Sequence, residues 1–163
     1  MKGDEYTELI ANYLARRFAA QDIEVFTEVS AGKSIIGKSR RVDIMVLAEG
    51  KTKALAIECK YQGVSGTADE KIPYALEDVQ AMNMPSLLVY AGKGFSAGIA
   101  HQLSASPHAA YCLPAKYQTG PGQNTIELDH CVAMRFGWWS YLVHGKNKVM
   151  SSDLFQSGGW ASD

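Results

Sequence analysis

Long hydrophobic runs are missing from this 163-residue chain. None approaches the ~20 consecutive apolar residues that a membrane-spanning helix requires. The start, Met1 to Tyr6, is acidic and polar where a secretory leader would be basic and then apolar. The expectation is therefore a cytoplasmic protein with no membrane partner. Cysteine is scarce and unpatterned: Cys59, Cys112 and Cys131 are odd in number and lack C-x-x-C spacing, which argues against a disulfide framework or a zinc ribbon. Neither sign of charge dominates, with 16 Lys+Arg against 17 Asp+Glu. A generally basic coat for nucleic acid is thus excluded, and any such partner must be held by a local patch. The Gly92–Gly98 stretch lacks the G-x-x-x-x-G-K-[ST] pattern of a phosphate-binding loop, so nucleotide hydrolysis finds no support.

What the chain does have is 47% hydrophobic residues, enough to build one core without staples. A single domain over 1–163 is expected, with its core at about 4–114 and a C-terminal extension at about 115–163. Tyr6, Leu9, Ile10, Tyr13, Leu14 and Phe18 recur at helical spacing and predict a helix over 4–20. Alternation predicts strands at Ile23–Val29, Arg41–Leu47 and Lys53–Lys60, with a Gly/Ser/Lys-rich loop at Ala31–Ser39 and a turn at Ala48–Thr52. Ile72, Ala75, Leu76, Val79 and Met82 mark a second amphipathic helix with Pro73 in its first turn. Beyond it come a buried strand at Ser86–Ala91, a short helix at Ala97–Leu103 and a strand at Ala109–Leu113. Ile126–Phe136 suits a helix, and Ser157–Asp163 reads as a loose end.

Strand alternation carries the chemistry. Leu55, Ile57 and Cys59 share one face, while Ala56, Glu58, Lys60 and Gln62 share the other. On the preceding strand Val42, Ile44 and Val46 form one apolar set, which leaves Asp43 to point the other way and converge with Glu58. Two neighbouring carboxylates repel each other, and a hard divalent cation resolves the repulsion. Mg²⁺ suits such a pair. It polarises a phosphoryl oxygen and acidifies water, and a nearby lysine stabilises developing negative charge. Phosphodiester hydrolysis is the implied chemistry, against the plain alternative of a solvated strand face with alternating charges.

Asp43, followed after a hairpin by Glu58-Cys59-Lys60 and then Gln62, resembles the PD-(D/E)XK nuclease superfamily. The resemblance covers the first helix through the strand at Ser86–Ala91. It implies an α/β fold, a restriction-endonuclease-like αβββαβ core with a central mixed sheet flanked by helices. It also implies a metal-dependent endonuclease acting on DNA, with Mg²⁺ as cofactor and Mn²⁺ able to substitute. Asp43 and Glu58 would ligate the metal, Lys60 would be the motif lysine, Cys59 would face the core and Gln62 would assist. An acid on the first helix joins the metal in several branches; Glu8 matches better than Glu5, and the rotation of the helix decides between them. Val42 stands where the motif proline would be. An inactive DNA-binding or protein-interaction module on the same fold is the alternative.

Lys33, Lys38, Arg40 and Arg41 form a local cationic patch with no acid among them, in the loop that leads to Asp43. Lys71 and Lys93 are weaker candidates for phosphate contact. Trp138, Trp139, Tyr141 and Trp160 offer base-stacking surfaces or, more plainly, core or interface aromatics. The Asp129-His130, His144 and Asn147 set resembles a ββα-metal site only faintly. A homodimer would present two centres to a two-fold substrate.

Overall fold

The computed structural model describes residues 1–150; the loose end expected at Ser157–Asp163 and the aromatic Trp160 lie outside the described residues. Helix α1 spans Gly3–Arg17 and is closed at its start by the Glu5 carboxylate, which accepts the Lys2 main-chain N–H at 2.8 Å. Tyr6, Ile10, Tyr13 and Leu14 bury one stripe of it. Five strands follow: β1 Glu24–Lys33, β2 Ser39–Ala48, β3 Lys53–Tyr61, β4 Ser86–Ala91 and β5 Ala109–Tyr111. They lie side by side in chain order, β1-β2-β3 antiparallel and β3-β4-β5 parallel. Helix α2 (Lys71–Gln80) makes the first parallel crossover and α3 (Ala97–Ala105) the second. Pro73 falls in the first turn of α2, where its missing N–H costs nothing. This mixed sheet flanked by helices is the restriction-endonuclease-like α/β arrangement.

Strand β1 runs on past the predicted end at Val29, because its ladder with β2 continues through Ser30↔Arg41 to Lys33↔Ser39. The long loop expected at Ala31–Ser39 therefore shrinks to residues 34–38. Cross-strand pairing has overridden the weak strand propensity of the small residues there.

One face of the sheet, through Ile44, Val46, Leu55, Ile57, Leu87 and Val89, packs on α1 and on α4 (Ile126–Phe136). The other, through Leu88 and Tyr90, packs on α2 and α3. Covered on both sides, β4 is buried along its whole length, which is why its sequence is continuously apolar. The core does not stop near residue 114. Leu128, Val132 and Phe136 of α4 belong to the same cluster as α1, and Gly137 ends that helix in the left-handed region at φ 75°. Asp129, 1% exposed, ties α4 to α1: Tyr13 Oη donates to its Oδ1 at 2.7 Å and Arg17 Nε to its Oδ2 at 2.8 Å. Trp138 stacks on Phe136 at 4.5 Å and leans on Phe18, so it is a core aromatic rather than a surface for bases. Trp139, beside the short helix α5 (Ser140–Val143), stays exposed. Among the described residues no helix is long and apolar enough to cross a membrane.

Candidate active site

The site is built where two strands part. Strands β2 and β3 pair from Ala48↔Lys53 to Ile44↔Ile57, and there their ladder ends. Strand β3 continues, held on its other side by β4 as far as Tyr61↔Ala91. Asp43 is the first β2 residue beyond the last pair. On the β1 side it lies opposite Glu28, which the ladder skips and whose backbone is left-handed at φ 56°. The Cys59 N–H, deprived of a main-chain acceptor, donates instead to Asp43 Oδ2 at 2.8 Å. Strict alternation would have placed the Asp43 side chain on the face opposite Ile44. The break places it in the gap between strands, where it lines a hollow with Asp4, Thr7 and Glu8 of α1 and with Arg41.

Glu58 and Lys60 lie partly buried on β3, and Lys60 Nζ donates to Glu58 Oε1 at 2.6 Å. Burial pushes the Glu58 carboxyl above its usual range; Lys60 counters in part, while Asp43 pushes it further up. Burial opposes the Lys60 ammonium too, yet Glu58 and Asp43 outweigh it and hold its pKa above the ordinary lysine value. Lys60 is thus bonded to Glu58 alone, with Asp43 adding a weaker pull on its charge. Asp43 enters the gap by a different route from the one alternation predicts, and its charge adds to the upward push on Glu58. Cys59 faces the core, as expected, and burial pushes its thiol up.

Gln62 is buried just beyond β3. Its Nε2 donates to the Gly94 carbonyl at 2.8 Å, and its Oε1 has no partner among the described residues. The Gly92–Gly94 turn closes tightly over it: a Cβ on Gly92 would stand 2.1 Å from the Gln62 carbonyl oxygen, and one on Gly94 2.2 Å from that of Val64. On α1 the two acids are placed differently. Glu5 is occupied by the Lys2 N–H, whereas Glu8 is exposed on the rim of the hollow that Asp43 lines.

Residues 2–139 match the family model described as a PD-(D/E)XK nuclease superfamily domain. The chain belongs to the PD-(D/E)XK nuclease superfamily. Its nucleases generally use divalent metal ions. Among curated proteins no sequence matches this one. Among solved structures it is similar to a protein of unknown function, AF1548, at 14% identity and a TM-score of 0.38, over 60% of this chain and 53% of that one. The similarity thus spans about half the length of that protein.

The residues present fit a superfamily metal. Asp43 and Glu58 offer hard oxygen donors, their mutual repulsion is only partly answered by Lys60, and Mg²⁺ is commonly held by one or two carboxylates with the rest of its shell left to water and substrate. Among the described residues no group of three or more His, Cys, Asp or Glu side chains is gathered for a metal. Glu8 therefore stands outside the pair as placed. The faint ββα-metal set dissolves as well, since Asp129 is committed to Tyr13 and Arg17.

Of the cationic patch, Lys33, Lys38 and Arg41 face outward, and so does Lys71 at the start of α2. Arg40 does not. It is buried, its guanidinium bound to the Asp78 carboxylate and carbonyl on α2. Asp78 was invisible as a site-related residue in the sequence, because its partners lie far from it in the chain and no motif marks it. It holds Arg40, accepts the Ile35 N–H at 3.0 Å and adds to the upward push on Glu58. Asp69, in the segment entering α2, accepts the Ser96 N–H at 3.1 Å, a tie to the start of α3.

Proposed function

We propose that this protein is a metal-dependent endonuclease that hydrolyses DNA phosphodiester bonds, with Mg²⁺ as its cofactor. What supports this reading is the gap between β2 and β3: Asp43 fills it and accepts the Cys59 N–H, and on β3 beside it Glu58 is bonded to Lys60. Asp43 and Glu58 would hold the cation, which supplies Lewis acidity at a phosphoryl oxygen and lowers the pKa of an attacking water. Hydrolysis joins a water oxygen to phosphorus and breaks the bond to one bridging oxygen.

The chain's own residues prepare that exchange. Lys60 uses one ammonium donor on Glu58, and its remaining donors answer the charge that builds on the phosphate oxygens. Gln62, anchored on Gly94, holds its free Oε1 as an acceptor for water or for an N–H at the back of the site. Glu8 sits on the rim, placed to join through water. Arg41 lines the hollow, Lys33 and Lys38 face outward on the same hairpin, and Lys71 stands at the start of α2; these four would track backbone phosphates. One such centre cuts one strand. Cleavage of both strands calls for two, which a two-fold homodimer supplies.

The test uses purified protein and labelled linear, branched and single-stranded DNAs, with Mg²⁺, Mn²⁺ or EDTA, beside Glu58→Ala. Cutting that needs the cation and vanishes in the variant is the expected result. If wild type and variant shift the DNA equally on a gel and neither cuts it, the nuclease reading fails and a binding module on this fold replaces it.

A further inference from the structure

The β1–β2 hairpin ends in a tight turn. Ser34 N–H donates to the Lys38 carbonyl at 2.8 Å and Gly37 N–H to the Ser34 carbonyl at 2.9 Å, with Gly37 left-handed at φ 77°. This places Ile35 and Ile36 at the two corners, positions that Gly, Pro, Asn, Asp and Ser ordinarily fill. Both side chains stand in solvent, 43% and 60% exposed. Neither belongs to a core cluster of the described residues.

The tip is also held firmly. Ile35 N–H is bound by Asp78 on α2, and the same carboxylate grips Arg40 at the base of the turn. β-Branched side chains have few rotamers, so the two isoleucines present a stiff apolar point. Exposed lysines stand on either side of it, Lys33 and Lys38. No acid occurs from residue 33 to residue 41, and the charge of Asp78 is answered by Arg40. A stiff apolar point between two cations suits a polyanion with an apolar interior. Phosphates take the lysines, and the gap between stacked bases takes the isoleucines.

We propose that Ile35 and Ile36 form a wedge that enters between stacked bases while Lys33 and Lys38 hold the flanking phosphates. The proposal deepens the nuclease reading and rests on DNA being the substrate. It makes the preferred substrate one that kinks or opens easily, such as a pyrimidine–purine step, a mismatch or a junction. Strand β2 sets a lower bound on the spacing. From Ser39 to Asp43 it runs about 13 Å at 3.3 Å per residue, and the turn that carries Ile35 and Ile36 lies beyond Ser39, so the disturbed step lies more than about four nucleotides from the cut.

The experiment reads base unstacking without cutting. Wild type and the double variant Ile35→Ser/Ile36→Ser, each as the full chain, are titrated in EDTA onto duplexes carrying 2-aminopurine at successive positions. A parallel titration over a salt series measures affinity. Wild type is expected to raise the fluorescence several-fold at one or two adjacent positions. The double variant is expected to bind within about threefold, with the same salt slope because the phosphate contacts remain, and to lose the rise. Circular dichroism melts show whether the variant folds; if it does not, Ile36→Ser alone is used. Bound wild type with a flat signal at every position overturns the wedge, as does a variant with an undiminished rise. Sedimentation in which only wild type self-associates, with fluorescence unaltered, also overturns it and makes the tip a contact between copies. Mg²⁺-dependent cleavage beside a flat signal sinks the wedge alone, whereas unstacking without cleavage in any cation sinks the nuclease reading and leaves the wedge standing.

Discussion

Asp129 and Glu58 are both carboxylates pressed against a basic side chain inside this fold, yet their surroundings differ at the oxygens. Asp129 is fully buried and matched on both, Oδ1 by the Tyr13 hydroxyl and Oδ2 by Arg17. Glu58 is a quarter exposed, matched on one oxygen by Lys60, and pushed up by the charge of a second carboxylate, Asp43. The first arrangement is closed and joins two helices. The second leaves charge unsatisfied on a partly exposed side chain, which costs stability and retains capacity to bind. A carboxylate's neighbours, more than its burial, separate a brace from a carboxylate left with binding capacity.

The contrast can be broken from either end. Its largest expected effect is at the open end: Glu58→Ala should cut the rate of Mg²⁺-dependent DNA cleavage by roughly 1,000-fold or more, about 4 kcal/mol of transition-state stabilisation. In EDTA its melting temperature should stay close to that of wild type, since the repulsion from Asp43 and the bond to the part-exposed Lys60 are lost together. At the closed end, Asp129→Ala leaves Arg17 and Tyr13 unmatched and should cost about 3–5 kcal/mol of folding stability. In a calorimetric scan that corresponds to a fall of roughly 10 °C. Cleavage by the fraction still folded should persist, and a full loss of cutting in well-folded Asp129→Ala would erase the distinction.

Cation binding sharpens the same comparison. Mg²⁺ or Mn²⁺ at about 100 times its Kd should stabilise wild type by about 2.7 kcal/mol in a thermal-shift titration. Asp43→Asn and Glu58→Gln should each remove most of that gain, and Asp129→Asn none of it. The smallest effect belongs to Tyr6→Phe. Tyr6 Oη donates to the Cys112 carbonyl at 2.7 Å within the core, and burial drives the hydroxyl's pKa far upward. Losing that bond should cost about 1 kcal/mol by chemical denaturation.

Local pattern made much of this legible in the sequence. The two-residue period of β3 placed Glu58 and Lys60 side by side with Cys59 turned inward, and the apolar stripe of α1 separated Tyr6 and Ile10 from Glu8. Ile126–Phe136 was readable as a helix from spacing alone. What escaped depends on partners distant in the chain. Arg40 looks like any loop cation until Asp78, on another element, takes its guanidinium. The gap at Asp43 arises because pairing with β3 ends, and nothing within β2 announces where a ladder stops. Phe136 and Trp138 close onto Phe18 near the end of α1, so residues that read as an extension are part of the core.

The Cys59 amide gives Asp43 a second employment. Its carboxylate, proposed above to hold a cation, also completes the backbone bonding of β3 at the point where β2 withdraws. Those two demands weigh differently on substitution. Lys60 and Glu58 can be exchanged without freeing a main-chain group, whereas Asp43→Ala strands an N–H in the middle of the sheet. A lineage drifting away from cleavage would therefore shed its chemistry first on β3. The aspartate, or an asparagine that still accepts the amide, would be the last of the three to go, held by the scaffold after the reaction had been lost.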